Sequence, residues 1–129
     1  MSVGYLFLVI DNLHPIWKLW FPQNNNVYVH SKLELKDNHF SSKQIKRINT
    51  QWGHISIVEA MILLLQNAII DPAITHFVFL SGNCIPIFDY HHTSNTISQI
   101  KKSSLHIFHK RNKKGINKAF ENHFTRHSQ

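Results

Sequence analysis

Residues 75–90, THFVFLSGNCIPIFDY, constrain the fold more than any other stretch, because an apolar run of strand length passes directly into a turn of small polar residues. His76-Phe77-Val78-Phe79-Leu80 is aromatic and β-branched, a composition that fits a strand covered on both faces. Ser81-Gly82-Asn83 then offers a hydroxyl, a backbone without a side chain and an amide. These groups fall at the carboxyl end of the strand, where open α/β sheets hold their ligands. Pro86 keeps the apolar residues around it from continuing as a central strand. A plain strand and turn would have the same sequence, so the rest of the chain must decide between a binding edge and a structural one.

Upstream, residues 4–10 (GYLFLVI) form a second unbroken apolar run and read as a first buried strand, ending in Asp11-Asn12. Pro15 suits the first turn of a helix, and Ile16, Trp17, Leu19, Trp20 and Phe21 give it a broad apolar face before Pro22 closes it. Val27-Tyr28-Val29-His30 follows an asparagine turn as a second strand, completing a βαβ unit. Residues 31–42 are polar and aperiodic, a surface loop, and residues 45–48 suggest a third short strand. Ser56-Ile57-Val58-Glu59 has capping-box spacing and opens a helix to about Ile70, stopped by Asp71-Pro72. Its apolar residues cover most of its circumference, which predicts a largely buried helix. Beyond Tyr90, residues 91–99 predict a short helix, 105–109 a strand, and 118–126 a helical turn with Phe120 and Phe124 on one side.

A chain of 129 residues accommodates one domain with its own core. The single cysteine, Cys84, excludes an internal disulfide framework and reads as a packed thiol. No run approaches the roughly 18 uninterrupted apolar residues of a membrane span. The net charge of +7 is local: residues 1–99 carry 6 Lys/Arg and 6 Asp/Glu, residues 100–129 carry 8 and 1. This divides the chain into an α/β domain over residues 1–99 and a basic segment over 100–129. Such a segment ordinarily solvates a terminus, and nucleic acid or an acidic partner is its alternative use, not its first.

Eleven histidines raise the question of a metal, and their spacing argues against one. His91 and His92 are adjacent, His106 and His109 are three apart, and only His123 and His127 would share a helical face, without a glutamate between them or an evident third ligand. There is no Asp-x-Asp pair, no Gly-x-Ser-x-Gly elbow around Ser81, and no glycine-rich phosphate loop. What remains is a polar group after each strand: Asp11 and Asn12, His30 and Ser31, Ser81 to Asn83. In a parallel sheet these converge on one edge, where amides and acceptors can read a base and ribose, although structural turns would give the same set.

The run Trp52-Gly53-His54-Ile55-Ser56-Ile57-Val58-Glu59-Ala60, then Leu63-Leu64, Ala68 and FVFLSGNCIPIF over residues 77–88, resembles the core-2/I-branching β-1,6-N-acetylglucosaminyltransferase family. FLVIDN (7–12) and VYVHS (27–31) resemble that family's first two strands, so the likeness covers about residues 4–90. It implies a Rossmann-like nucleotide-diphosphate-sugar fold of the glycosyltransferase A type, with a parallel or mixed sheet, UDP-N-acetylglucosamine as donor, a glycan as acceptor, and no cofactor or metal. By position, Val9, Ile10, Asp11 and Asn12 would lie along the uridine and His30 near the ribose, while Trp52, Ser81, Gly82 and Asn83 would wall the donor side. Lys32 stands where animal members have an aspartate.

An inverting transfer also needs a base on the acceptor hydroxyl and a counter-charge for the departing diphosphate. The family supplies both later than residue 129, and His127-Ser128-Gln129 resembles the start of a His-Ser-Gln-Trp segment found there. The resemblance therefore implies the donor-binding part of a longer enzyme, its catalytic half supplied by further chain or by a second polypeptide. The competing expectation is a non-catalytic remnant or binding module acting through its basic segment.

Overall fold

The computed structural model describes residues 2–23 and 26–103, and its regular elements lie in the unit Met1–Gln99. In chain order they are β1 (Ser2–Val9), α1 (Trp17–Trp20), β2 (Val27–Ser31), a 3-10 helix (Asn38–Lys43), α2 (Ile55–Ala68), β3 (Ile74–Ser81) and α3 (Tyr90–Ser98). The strands form one open parallel sheet in the order β2-β1-β3. Tyr5 lies beside Val27 and Val78, and Phe7 beside Val29 and Leu80.

Side chains alternate across a strand, so this register sorts the core into two faces. Val3, Tyr5, Phe7 and Val9 join Val27, Val29, Trp17 and Phe21 on one face, with Val78 and Leu80 packed at its margin. There the rings meet edge to face, Tyr5 with Phe21 at 5.2 Å between centroids and Phe7 with Trp17 at 5.1 Å, the arrangement favoured by their quadrupoles. Both indoles of α1 find acceptors in the chain after β3: Trp17 Nε1 donates to the Cys84 carbonyl (2.9 Å) and Trp20 Nε1 to that of Phe88 (2.7 Å). Tyr5 Oη hydrogen-bonds Ser94 Oγ at 2.7 Å, tying α3 to the same face, and burial raises the tyrosine pKa above its ordinary value.

The other face is thinner. Leu6 packs with Leu64 and Ala68 of α2, and Leu8, Tyr28, Ile45, Leu65 and Phe77 surround them. Of α2, Ser56, Ala60, Leu64 and Ala68 are buried, while Ile55, Val58 and Ile62 are exposed. The largely buried helix predicted from composition is therefore corrected to a helix with one buried stripe, at a spacing of four residues.

Other expectations are corrected locally. The capping box does not form: His54 caps α2, its Nδ1 accepting from the Ser56 N–H at 3.2 Å, and Ser56 Oγ instead accepts from the Gln51 N–H at 2.9 Å. The serine hydroxyl thus fastens the loop before the helix. Residues 45–48 are not a strand, since Gln44 makes one isolated bridge to Val29 and Ile45 N–H donates to the Val29 carbonyl before the chain leaves the edge of β2. The surface loop over 31–42 contains most of the 3-10 helix, whose Phe40 is buried. β3 is an edge strand among the described residues and only partly covered, not enclosed on both faces. The expected elements over 105–109 and 118–126 lie outside the described residues.

Candidate functional site

All three strands run in parallel, so the segments leaving β1, β2 and β3 emerge on one side of the sheet. β1 continues into β2 through α1 on one face, and β2 continues into β3 through α2 on the other; β3 lies on the far side of β1 from β2. The turns after β1 and β3 consequently meet. Gly82 approaches the first of these turns so closely that a Cβ on it would stand 2.7 Å from the Asn12 carbonyl oxygen. Only glycine permits that approach without a shift of the backbone.

A cleft of about 750 Å³ opens at this junction. Its floor is Leu8 and Val9 at the end of β1, and its sides are Ile10, Asp11 and Asn12, then Lys32 after β2, and Ser81, Gly82 and Asn83 after β3. Thr50, Trp52, Gly53 and His54 close it from the loop before α2, together with Ile57 and Val58 of the first helical turns. Trp52 is 95% exposed, an aromatic residue bare at the rim. Gly53 beside it adopts φ +73, a left-handed conformation that suits glycine.

The walls are held by main-chain bonds that continue the sheet past its strands. Lys32 N–H donates to the Val9 carbonyl (3.0 Å), Leu33 N–H to Ile10 (2.7 Å) and Lys36 N–H to Asp11 (2.9 Å). Lys36 Nζ also pairs with the Asp11 carboxylate at 3.0 Å. At His54 a backbone N–H donates to Nδ1, so that nitrogen is an acceptor and the ring proton sits on Nε2.

Val9, Ile10, Asp11, Asn12, Trp52, Ser81, Gly82 and Asn83, the residues singled out in the sequence, all line this cleft, whereas His30 does not. The His30 side chain is fully buried instead, and its Nε2 accepts from the Ile48 N–H at 3.1 Å. The proton is therefore on Nδ1, which is buried and makes no hydrogen bond among the described residues. Burial lowers the imidazole pKa, and the nearby Arg47 charge lowers it further. His30 is thus a support for the segment that leads to Thr50 and Trp52. Ser31 is buried as well, its Oγ accepting from Gln44 Nε2 at 2.7 Å.

Lys32, Thr50 and His54 were not among those candidates. Lys32 could have been found from its place directly after a strand end, and His54 from its place in the Trp-Gly-His run; Thr50 has no comparable signal. Among the described residues no three His, Cys, Asp or Glu side chains gather as a metal site would require. Nor is any described helix long and apolar enough to cross a membrane.

Fold and cleft together define a parallel α/β domain with a cleft at the carboxyl ends of its strands. The sequence model of the core-2/I-branching enzyme family matches residues 3–127, and the chain belongs to that family. It is also similar to a protein of Oryza sativa subsp. japonica named glycosyltransferase BC10, with 25% identity over 120 residues. That alignment takes in 82% of this chain and 30% of the rice protein, so the chain spans less than a third of its relative's length. No solved structure matches the chain.

Proposed function

We propose that the cleft is the donor site of a glycosyltransferase and that the sheet is the nucleotide-binding core of a Rossmann-like, glycosyltransferase A type fold. The donor is UDP-N-acetylglucosamine, and the reaction of the whole enzyme is transfer of its sugar to a hydroxyl of a glycan. The observation that carries this reading is the meeting of the turns after β1 and β3, with Gly82 against the Asn12 carbonyl and the bare Trp52 ring at the same cleft. Main-chain groups around Ile10 and Asn12 suit the hydrogen-bonding edge of uracil, and the indole suits the face of a sugar or base. Family membership supports the reaction class.

The site is proposed to work without a metal, because Asp11, the one carboxylate lining the described cleft, is already paired with Lys36. The transfer also needs a base on the acceptor hydroxyl, a role that the paired Asp11 carboxylate does not fill. What these residues do is bind and orient the donor.

A UDP titration followed by two-dimensional amide NMR tests the reading. Saturable shifts are expected at Asp11, Trp52, Ser81 and Gly82, unchanged by a chelator. The Gly82→Ala variant, whose new methyl group would displace the Asn12 turn, should bind UDP more weakly. A dispersed spectrum that millimolar UDP leaves unmoved would reject the donor assignment.

A further inference from the structure

The charges of the cleft do not balance. Asp11 and Lys32 both line it, but the Asp11 carboxylate is engaged by Lys36, which is not a lining residue. Lys32 forms no ion pair among the described residues. The excess positive charge is not a by-product of general basicity, since residues 1–99 carry 6 Lys/Arg and 6 Asp/Glu. Nor is its position loose: the Lys32 N–H is bonded to the Val9 carbonyl and the next N–H to that of Ile10, so the main chain is fixed and only the four-carbon stem swings. His54 also lines the cleft, and with Nδ1 taken up as an acceptor its Nε2–H is free to hydrogen-bond an anion.

We infer that Lys32 anchors the anionic, phosphate-bearing part of the cleft's ligand, with His54 Nε2–H as an accessory donor. The inference rests on the donor-site reading and sharpens it: Lys32, where animal members have an aspartate, adds a phosphate contact within these residues to the counter-charge that the family resemblance places later in the enzyme. An ammonium in open water gains little from an anion. In a cleft of this size a ligand displaces the water around the pair, and a charge-assisted hydrogen bond strengthens accordingly. Recognition is then divided: neutral main-chain groups and Trp52 read the ring system, and Lys32 reads the charge.

The test titrates the full chain with UDP, uridine and inorganic pyrophosphate at low and high salt, using the natural protein, Lys32→Ala and Lys32→Arg. Loss of one charge-assisted contact should weaken UDP and pyrophosphate about tenfold or more in Lys32→Ala and leave uridine unchanged. Lys32→Arg should stay near the natural protein, and the salt dependence of UDP binding should be shallower in the alanine variant. Because the side chain is exposed, amide spectra of the variants should overlay the natural one away from the cleft. If Lys32→Ala binds UDP as tightly as the natural chain does, the role of Lys32 is overturned while the donor reading stands. If pyrophosphate binds in a Lys32-dependent way but uridine and UDP gain nothing from the base, Lys32 is upheld and the nucleoside half of the reading falls. A folded chain that binds neither UDP nor pyrophosphate overturns both.

Discussion

The two faces of the sheet are built from equally apolar strands yet are filled in different ways. On the face carrying Tyr5 and Phe7, aromatic rings interlock with Trp17, Trp20, Phe21 and Tyr90, and hydrogen bonds from both indoles tie in the chain after β3. On the face carrying Leu6, one stripe of α2 supplies Leu64 and Ala68, and the outer side of the helix stays exposed although it too is apolar. The aromatic face holds the turn that presents Ser81 to Asn83, because the carbonyls of Cys84 and Phe88 are its acceptors. The aliphatic face brings the start of α2, with His54, Ile57 and Val58, to the same cleft. The difference teaches that one wall of the site is fastened by a dense core and the other by a light one.

If that contrast is real, Phe7→Ala has the largest effect. Phe7 is fully buried and touches both Trp17 and Phe21, so its loss leaves a hole that rigid rings cannot close. About 4 kcal/mol of destabilisation is expected, measured by denaturant unfolding. Leu64→Ala on the opposite face should cost less, about 3 kcal/mol, since the partners of Leu64 include flexible aliphatic chains on a helix able to settle inward. Equal losses at the two positions would erase the distinction between the faces.

The central contrast of the sheet was only half legible in the sequence. Residues 4–10 and 77–80 are both unbroken apolar runs, and periodicity cannot tell which one lies in the middle. Strand order decides it: β1 has a neighbour on each side, and β3 among the described residues has one. The same limit explains α2, where composition predicted burial over most of the circumference but a helix packed on one layer buries one stripe. The cleft was more legible, because a parallel sheet places every post-strand turn on one side, so Asp11, Asn12 and Ser81 to Asn83 were found from topology alone. His30 does not line the cleft because it is the penultimate residue of its strand, and its side chain turns into the protein to meet the Ile48 N–H. His54 was overlooked because Ser56 has the better-known capping signature, although the histidine does the capping.

A smaller effect, on pH, tests how the light wall is supported. The folded-state pKa of His30 is depressed, chiefly by burial, from its ordinary 6.5. A depressed histidine favours folding where it is neutral in both states, so its contribution is fully present above about pH 6.5 and is lost as pH falls through the folded pKa. Thermal unfolding between pH 7.5 and pH 5 should show Tm falling on the acid side. Part of that slope should vanish in His30→Gln, whose amide oxygen can still accept from Ile48. An unchanged slope in the variant would remove His30 as the acid-sensitive support of the loop carrying Trp52.

The smallest expected effect lies on the outer side of α2. Ile62 is 48% exposed and Val58 46%, so about half of each residue stays in water and neither is enclosed. Ile62→Gln should therefore change unfolding free energy by less than about 0.5 kcal/mol, the range of surface substitutions that break no buried contact. Glutamine is also a good helix former, so propensity does not add a penalty. A loss above about 1 kcal/mol would mean that the side chain is covered in solution. The thin face would then be one side of a thicker layer, and α2 would need a packing partner to hold His54 at the cleft. Repeating the measurement at tenfold different protein concentrations separates the sources of such cover: a copy of the chain makes the loss concentration-dependent, and cover from within the chain does not.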